Sequence, residues 1–129
     1  MGLIRADIRL ANFAKPDLDE IDAKALVDTG ALHLCIPEHI ALQLGLRIVE
    51  QREVRLADGA VRLVDYVAPV QIALLGRSCV TGALVLGDEV LLGAIPLEDM
   101  DLLVHPAQMC VVKNPRSPNI AVSVAKGIR

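Results

Sequence analysis

In Ala25-Leu26-Val27-Asp28-Thr29-Gly30-Ala31 a carboxylate closes an apolar, strand-like run instead of standing among polar loop residues. An isolated Asp-Thr-Gly tripeptide is ordinarily a turn, and arises by chance in roughly one chain in forty of this length. The setting changes the balance. A carboxylate at the end of a buried strand costs free energy unless its neighbours hydrogen-bond it. Thr29 offers a hydroxyl, and Gly30 lets backbone and ligand approach closely.

Outward from this stretch the pattern is β-like, punctuated by Gly, Pro and Asp. Ile4, Ala6, Ile8 and Leu10 alternate with Arg5, Asp7 and Arg9; after a turn at Lys15-Pro16-Asp17, the alternation resumes at Ile21, Ala23 and Ala25. Leu32, Leu34 and Ile36 point one way, His33 and Cys35 the other. Pro37-Glu38 then opens a short helix, since Pro suits a first turn and Glu38 favours the positive end of the dipole. Gly45 is placed to cap it.

Further on, Val54 and Leu56 lead into Ala57-Asp58-Gly59-Ala60, and Val61 and Leu63 lead away, a strong hairpin signal. Strands follow over Val70, Ile72 and Leu74 and over Cys79–Leu86, joined at Gly76-Arg77. Val90-Leu91-Leu92-Gly93 is a short buried run. Pro96, Glu98 and Asp99 resemble a helix start, with Ile95 and Met100 on its inner side. Met109–Val112 and the alternating Ile120, Val122 and Val124 close the count at about eight strands and two short helices. On pattern alone the fold class is mainly β, a small closed or nearly closed β-barrel.

Composition narrows the function. The 129 residues make one domain's worth of chain, read as a single unit over residues 1–129, with no repeat or linker. Hydrophobic residues make up 53% of the chain and charged residues 22%. Counted with Gly, the apolar share is about 59%, above the roughly 45–50% of ordinary domains. Phe13 and Tyr66 are the only aromatics beside no Trp, so the core is aliphatic. The excess suggests apolar surface covered by a partner subunit. A net charge of −3 without a basic run, and no aromatics to stack on bases, exclude nucleic acid as a partner. Uncharged stretches such as Tyr66–Gly76 are too short for a membrane span. Arg5, Asp7 and Arg9 stand where a signal peptide needs an apolar run. Cys35, Cys79 and Cys110 are odd in number and widely spaced, which points to a cytoplasmic protein without disulfides.

The Asp28-Thr29-Gly30-Ala31 arrangement resembles the retroviral-type, or retropepsin-like, aspartic proteases. Ile36-Pro37-Glu38-His39-Ile40-Ala41-Leu42-Gln43-Leu44-Gly45-Leu46 is similar to the strand and short helix that follow the signature in that family. Leu91-Leu92-Gly93 stands where the family has a hydrophobic-hydrophobic-Gly element before a second short helix. Order and spacing match over roughly residues 20–112. Leu-Gly-Ala-Ile-Pro-Leu-Glu-Asp-Met, ending at Met100, is most like the small bacterial single-domain branch. The resemblance implies an acid-protease barrel with no cofactor or metal, and Asp28 as the catalytic residue. It implies that Thr29 bonds across a dimer interface, that Gly30 contacts substrate backbone, and that Ala57-Asp58-Gly59 tips a flap over an extended peptide or protein substrate.

The chemistry then asks for two chains. This hydrolysis needs two facing carboxylates sharing a proton, because like charges a few ångströms apart cannot both ionise. The chain has a single Asp-Thr-Gly, so a homodimer would supply Asp28 twice across its axis. The expected function is an aspartic endopeptidase. The alternative is a weakly catalytic or non-catalytic dimer of the same fold that binds extended peptides. Leu32 favours the latter, standing where family members often carry a polar or acidic residue, as does a flap tip with no large side chain.

Other chemistries are weaker. His33, Cys35 and His39 lie within seven residues, but His39 belongs to a helix and no fourth ligand is spaced nearby. Asp88-Glu89 and Glu98-Asp99 with Asp101 lack aromatics to stack a sugar and read as solvated turns. No Ser sits in a nucleophile elbow.

Overall fold

A computed structural model describes residues 3–127. Its strands are β1 (Arg5–Asn12), β2 (Ile21–Val27), β3 (Leu34–Ile36), β4 (Arg47–Arg55), β5 (Val61–Leu74), β6 (Arg77–Val85), β7 (Leu91–Leu92), β8 (Leu102–His105) and β9 (Cys110–Lys113). Two helices interrupt them, α1 (Glu38–Gln43) and α2 (Ala94–Asp99). The main sheet runs β1-β2-β7-β3-β6-β5-β4, and β1 also pairs with β5. That last pairing closes β1, β2, β7, β3, β6 and β5 into a barrel and leaves β4 outside as one arm of a hairpin. Strands β8 and β9 form a separate ribbon. This is the mainly-β, closed barrel that the sequence led one to expect.

Alternation explains the barrel. Ile8 and Leu10 on β1, Ala25 on β2, Leu34 and Ile36 on β3, and Val70, Ile72 and Leu74 on β5 are all buried together. Leu44, Leu92, Leu97 and Met100 complete an aliphatic core. Burying one such side chain is worth roughly 1.5–3 kcal/mol.

The α1 terminus shows how local chemistry fixes a connection. Gly45 has φ +62°, and Leu46 N donates to Ala41 O while Gly45 N donates to Leu42 O. Those bonds are the Schellman pattern, which favours Gly in the left-handed position. The Asn12 amide, buried, donates to Leu44 O at 2.9 Å and so ties β1 to the end of α1.

Four details depart from the sequence pattern. Strand β5 is one element of 14 residues, not two, and it survives Pro69 because the β5–β6 register shifts between Val67 and Val70. Strand β8 has too little alternation to be read beforehand, with Leu102 buried and Leu103 exposed. Ile95 is exposed, unlike its neighbour Met100. Ile120, Val122 and Val124 form no strand and have no partner strand among the described residues; all three are exposed. No helix among the described residues is long and apolar enough to cross a membrane.

Candidate active site

The signature loop hangs from a three-strand junction. Strand β7 runs parallel to β2 (Leu26 opposite Leu91, Val27 opposite Leu92) and antiparallel to β3 (Cys35 opposite Leu91). Asp28 N donates to Leu92 O, and Ala31 N donates to Asp28 O, turning the chain tightly out of β2. The Asp28 carboxylate is oriented from within the loop: its Oδ1 accepts from Gly30 N at 2.9 Å. A Cβ on residue 30 would lie 3.2 Å from that same oxygen. Gly30 thus suits the loop because any larger residue would press on the carboxylate.

The hydrophobic-hydrophobic-Gly element braces this loop from below. Leu92 is fully buried, and Gly93 is packed directly against the backbone of residues 32 and 33. Ala94 N donates to Ala31 O and Ile95 N donates to Leu32 O, so the start of α2 holds the far limb of the loop.

Asp28, Thr29 and Gly30 are exposed in the protomer, although Ala25, Leu26 and Val27 just before them are half-buried or buried. The sequence pattern placed the carboxylate at the end of a buried strand; the strand is there, but the carboxylate itself faces outward. Leu32 likewise leaves the Leu34–Ile36 face. It precedes β3, lies outside its pleat and is 62% exposed.

A cleft of about 750 Å³ opens beside the loop. Its floor includes Asp28, Gly30, Ala31, Cys35 and Leu91, and Leu84 and Leu86 form an apolar wall. The β4–β5 hairpin roofs it with Val54, Leu56 and Ala57. Gly59 has φ +86°, and Asp58 Oδ1 accepts from Ala60 N at 2.8 Å, which shapes the tip. Of the expected flap residues, Ala57 lines the cleft directly, while Asp58 and Gly59 make the turn beyond it. A second hollow of about 570 Å³, walled by Asp7, Arg9, Asp22 and Lys24, contains none of the signature residues.

Three residues escaped the sequence reading. Arg52 lines the cleft from β4, on the same side as Val54 and Leu56. Its guanidinium carbon sits 3.8 Å from the centroid of Tyr66. Tyr66 in turn lies over Gly82, where a Cβ would come within 2.1 Å of the ring. The available signals were the period-2 alternation of β4 and the isolation of one Tyr in an aliphatic chain. His33 joins this group, with its ring edge-on to Tyr66 and Nε2 3.4 Å from Arg52 Nη1. Burial, and then the Arg52 charge, lower the His33 pKa. Cys35 also lines the cleft; burial, followed by the nearby Asp28 charge, raises its thiol pKa. His39 points away, exposed on α1, so His33, Cys35 and His39 do not converge.

A family model described as "Aspartyl protease" matches residues 14–77, from the end of β1 through the flap hairpin. No curated protein gives a significant match. Among solved structures, the chain is similar to the retroviral protease-like domain of Ddi1 from Leishmania major, at a TM-score of 0.61 and 14% identity. That alignment covers 89% of this chain and 90% of the other. It is also similar to the Simian Foamy Virus (mac) protease, at a TM-score of 0.51 and 18% identity over 72% of this chain and 90% of that one. The chain thus has the barrel fold of these retroviral-type proteases, and over residues 14–77 it matches the aspartyl protease family.

Proposed function

We propose that the chain is an aspartic endopeptidase that works as a homodimer, its two Asp28 carboxylates facing each other across the two-fold axis. One observation carries this reading: a Gly30-oriented Asp28 carboxylate stands exposed at the mouth of a cleft roofed by a hairpin. One carboxylate acts as general base on a bound water. The other, carrying the shared proton, protonates the carbonyl oxygen of the scissile amide. A carboxylate that is exposed in one protomer becomes desolvated once a second loop closes on it, which strengthens each interaction there. Leu32 and Ile95, both exposed and joined through the Ile95 N to Leu32 O bond, offer apolar surface beside the loop for that contact. The hairpin would pair with an extended peptide as an added strand. Three unpaired cysteines fit a reducing, cytoplasmic setting.

A second reading, a dimer that holds extended peptides with little or no cleavage, is favoured by exposed Leu32 and by the small flap tip Ala57-Asp58-Gly59. A peptide library incubated with the purified chain from acidic to neutral pH, beside Asp28→Asn, separates the two. Cleavage that vanishes with Asp28→Asn supports the peptidase. Binding without cleavage supports the second reading.

A further inference from the structure

The cleft has a cationic end whose parts come from three strands and the signature loop. Gly82 on β6 leaves room for the Tyr66 ring, Tyr66 on β5 carries the Arg52 guanidinium on its face, and His33 closes the group edge-on. An arginine stacked on an aromatic ring is restricted in orientation before any ligand arrives, so less freedom is lost on binding. Of its five N–H bonds, three are engaged: Nε and Nη2 donate to Glu50 Oε1, and Nη1 meets His33 Nε2. Because guanidinium can only donate, His33 Nε2 accepts in this contact when the ring carries its proton on Nδ1. Among the described residues, the other two N–H bonds of Arg52 have no hydrogen-bond partner, and the side chain lines the cleft.

We propose that Arg52 is a specificity-determining subsite for a carboxylate of the bound peptide, so that the cleft favours substrates bearing an acidic group at one fixed position. The inference rests on the reading of the cleft as a peptide site. Arg52 offers the rigid, forked donor geometry that carboxylates match. Its present partner Glu50 is two residues away on the same strand, and its side chain is half-exposed. An exposed ion pair of this kind is weak, and an incoming carboxylate can displace it at small cost. The other charges lining the cleft are Asp28, Glu53 and Arg55. Glu53 and Arg55 are exposed and of opposite sign, which leaves the Tyr66-mounted guanidinium as the one held in place. Elsewhere the lining is apolar, with Val54, Leu56, Leu84, Leu86 and Leu91 suited to uncharged side chains.

The test uses the full-length Asp28→Asn chain in titrations with matched ten-residue apolar peptides. These carry Glu, Gln or Lys at each position in turn, with free or amidated C-termini. At one position Glu should bind roughly tenfold more tightly than Gln, the scale of a charge-assisted hydrogen bond. Arg52→Gln should erase that preference, and Arg52→Glu should turn it toward Lys. Glu50→Gln provides the check that a merely structural Arg52 would fail. Removing the internal competitor should tighten Glu peptides severalfold and leave Gln peptides unchanged, with Arg52 itself intact. Preference confined to free C-termini would assign the subsite to a chain end; preference surviving amidation assigns it to an acidic side chain. Cleavage by the unsubstituted protein with no acidic preference would overturn the subsite and leave the peptidase standing. Selective binding of Glu peptides without cleavage would do the reverse. Absence of any peptide binding would remove both.

Discussion

Gly93 lies so close to the chain entering β3 that a Cβ on it would stand 2.5 Å from the His33 carbonyl oxygen and 2.6 Å from the Leu32 carbonyl carbon. The contact is with backbone, which has nowhere to swing. It joins the buried end of β7 to the loop that carries Asp28, so the position of the carboxylate depends on a missing side chain at the end of the neighbouring strand. Gly93→Ala should therefore cost about 1–3 kcal/mol, the range for overpacking a well-filled interior. Urea unfolding would measure the loss. Activity should fall further than stability accounts for, because the displaced segment is the one that holds the loop. An unchanged denaturation midpoint would show that the loop yields without strain.

The apolar surface around the loop predicts the assembly. Ile95 is 41% exposed at the start of α2, hydrogen-bonded through its N–H to Leu32 O. The proposed dimer would cover both side chains. Sedimentation at micromolar concentration should give about twice 13.8 kDa. Ile95→Asp should shift the population toward monomer by tenfold or more in dissociation constant while leaving the circular dichroism spectrum intact. Truncation after Asn119, which removes the exposed Ile120, Val122 and Val124, should weaken association in the same assay. A dimer unaffected by both changes would place the interface elsewhere.

Much of the barrel was legible because alternation and burial go together there: Ile8 and Leu10, Leu34 and Ile36, Ile72 and Leu74 read out directly. Asp58-Gly59 and Gly45 announced their turns through backbone chemistry. The tail did not follow, since Ile120, Val122 and Val124 alternate like a strand but meet no partner strand among the described residues. Pattern records what a segment could pair with, and pairing needs a second edge. Asp28 and Gly30 were legible from a signature and its flanking strand. The Gly82–Tyr66–Arg52 stack was not, because its parts lie 14 and 16 residues apart and only the register of β4, β5 and β6 brings them together.

The thiols should report separately on the core and the cleft. Cys79 is buried, and desolvation, followed by the Asp99 charge, pushes its pKa up to about 12. Cys35 lines the cleft and is also raised, by burial and then by Asp28. At pH 8 Cys79 should resist iodoacetamide in the folded protein and react on unfolding. Cys35 should react slowly, and a cleft-bound peptide should slow it further. Mass spectrometry of the labelled sites checks both. Equal labelling of Cys35 with and without a peptide known to bind would place that peptide outside the cleft.

Asp101 should govern the acid limit of stability. It follows α2 in a left-handed conformation, φ +55°, and gathers the chain around it. Oδ2 accepts from the Ser117 hydroxyl and from Val122 N at 3.0 Å, and Oδ1 accepts from the Asn114 amide at 2.9 Å. Buried Arg77 reaches the carbonyls of Asp101 and Ser117 from the other side. The bonds from Ser117, Asn114 and Val122, in that order, lower the Asp101 pKa from 3.8 to about 2, with Arg77 adding to them. A carboxylate depressed on folding contributes stability that is present above its unfolded value and lost as pH falls through the folded one. The contribution should thus be whole at neutral pH, begin to fade near pH 4 and be gone below about 2. Asp101→Asn keeps one acceptor oxygen but loses the anionic second one, so it should unfold at lower urea concentration than the unsubstituted chain at pH 6. The gap should narrow between pH 4 and 2, where the unsubstituted carboxylate itself becomes neutral. Urea midpoints measured across that range would show the two curves converging. Parallel curves would mean that other carboxylates set the acid limit, and that the bonds to Asp101 shape the tail without steadying the fold.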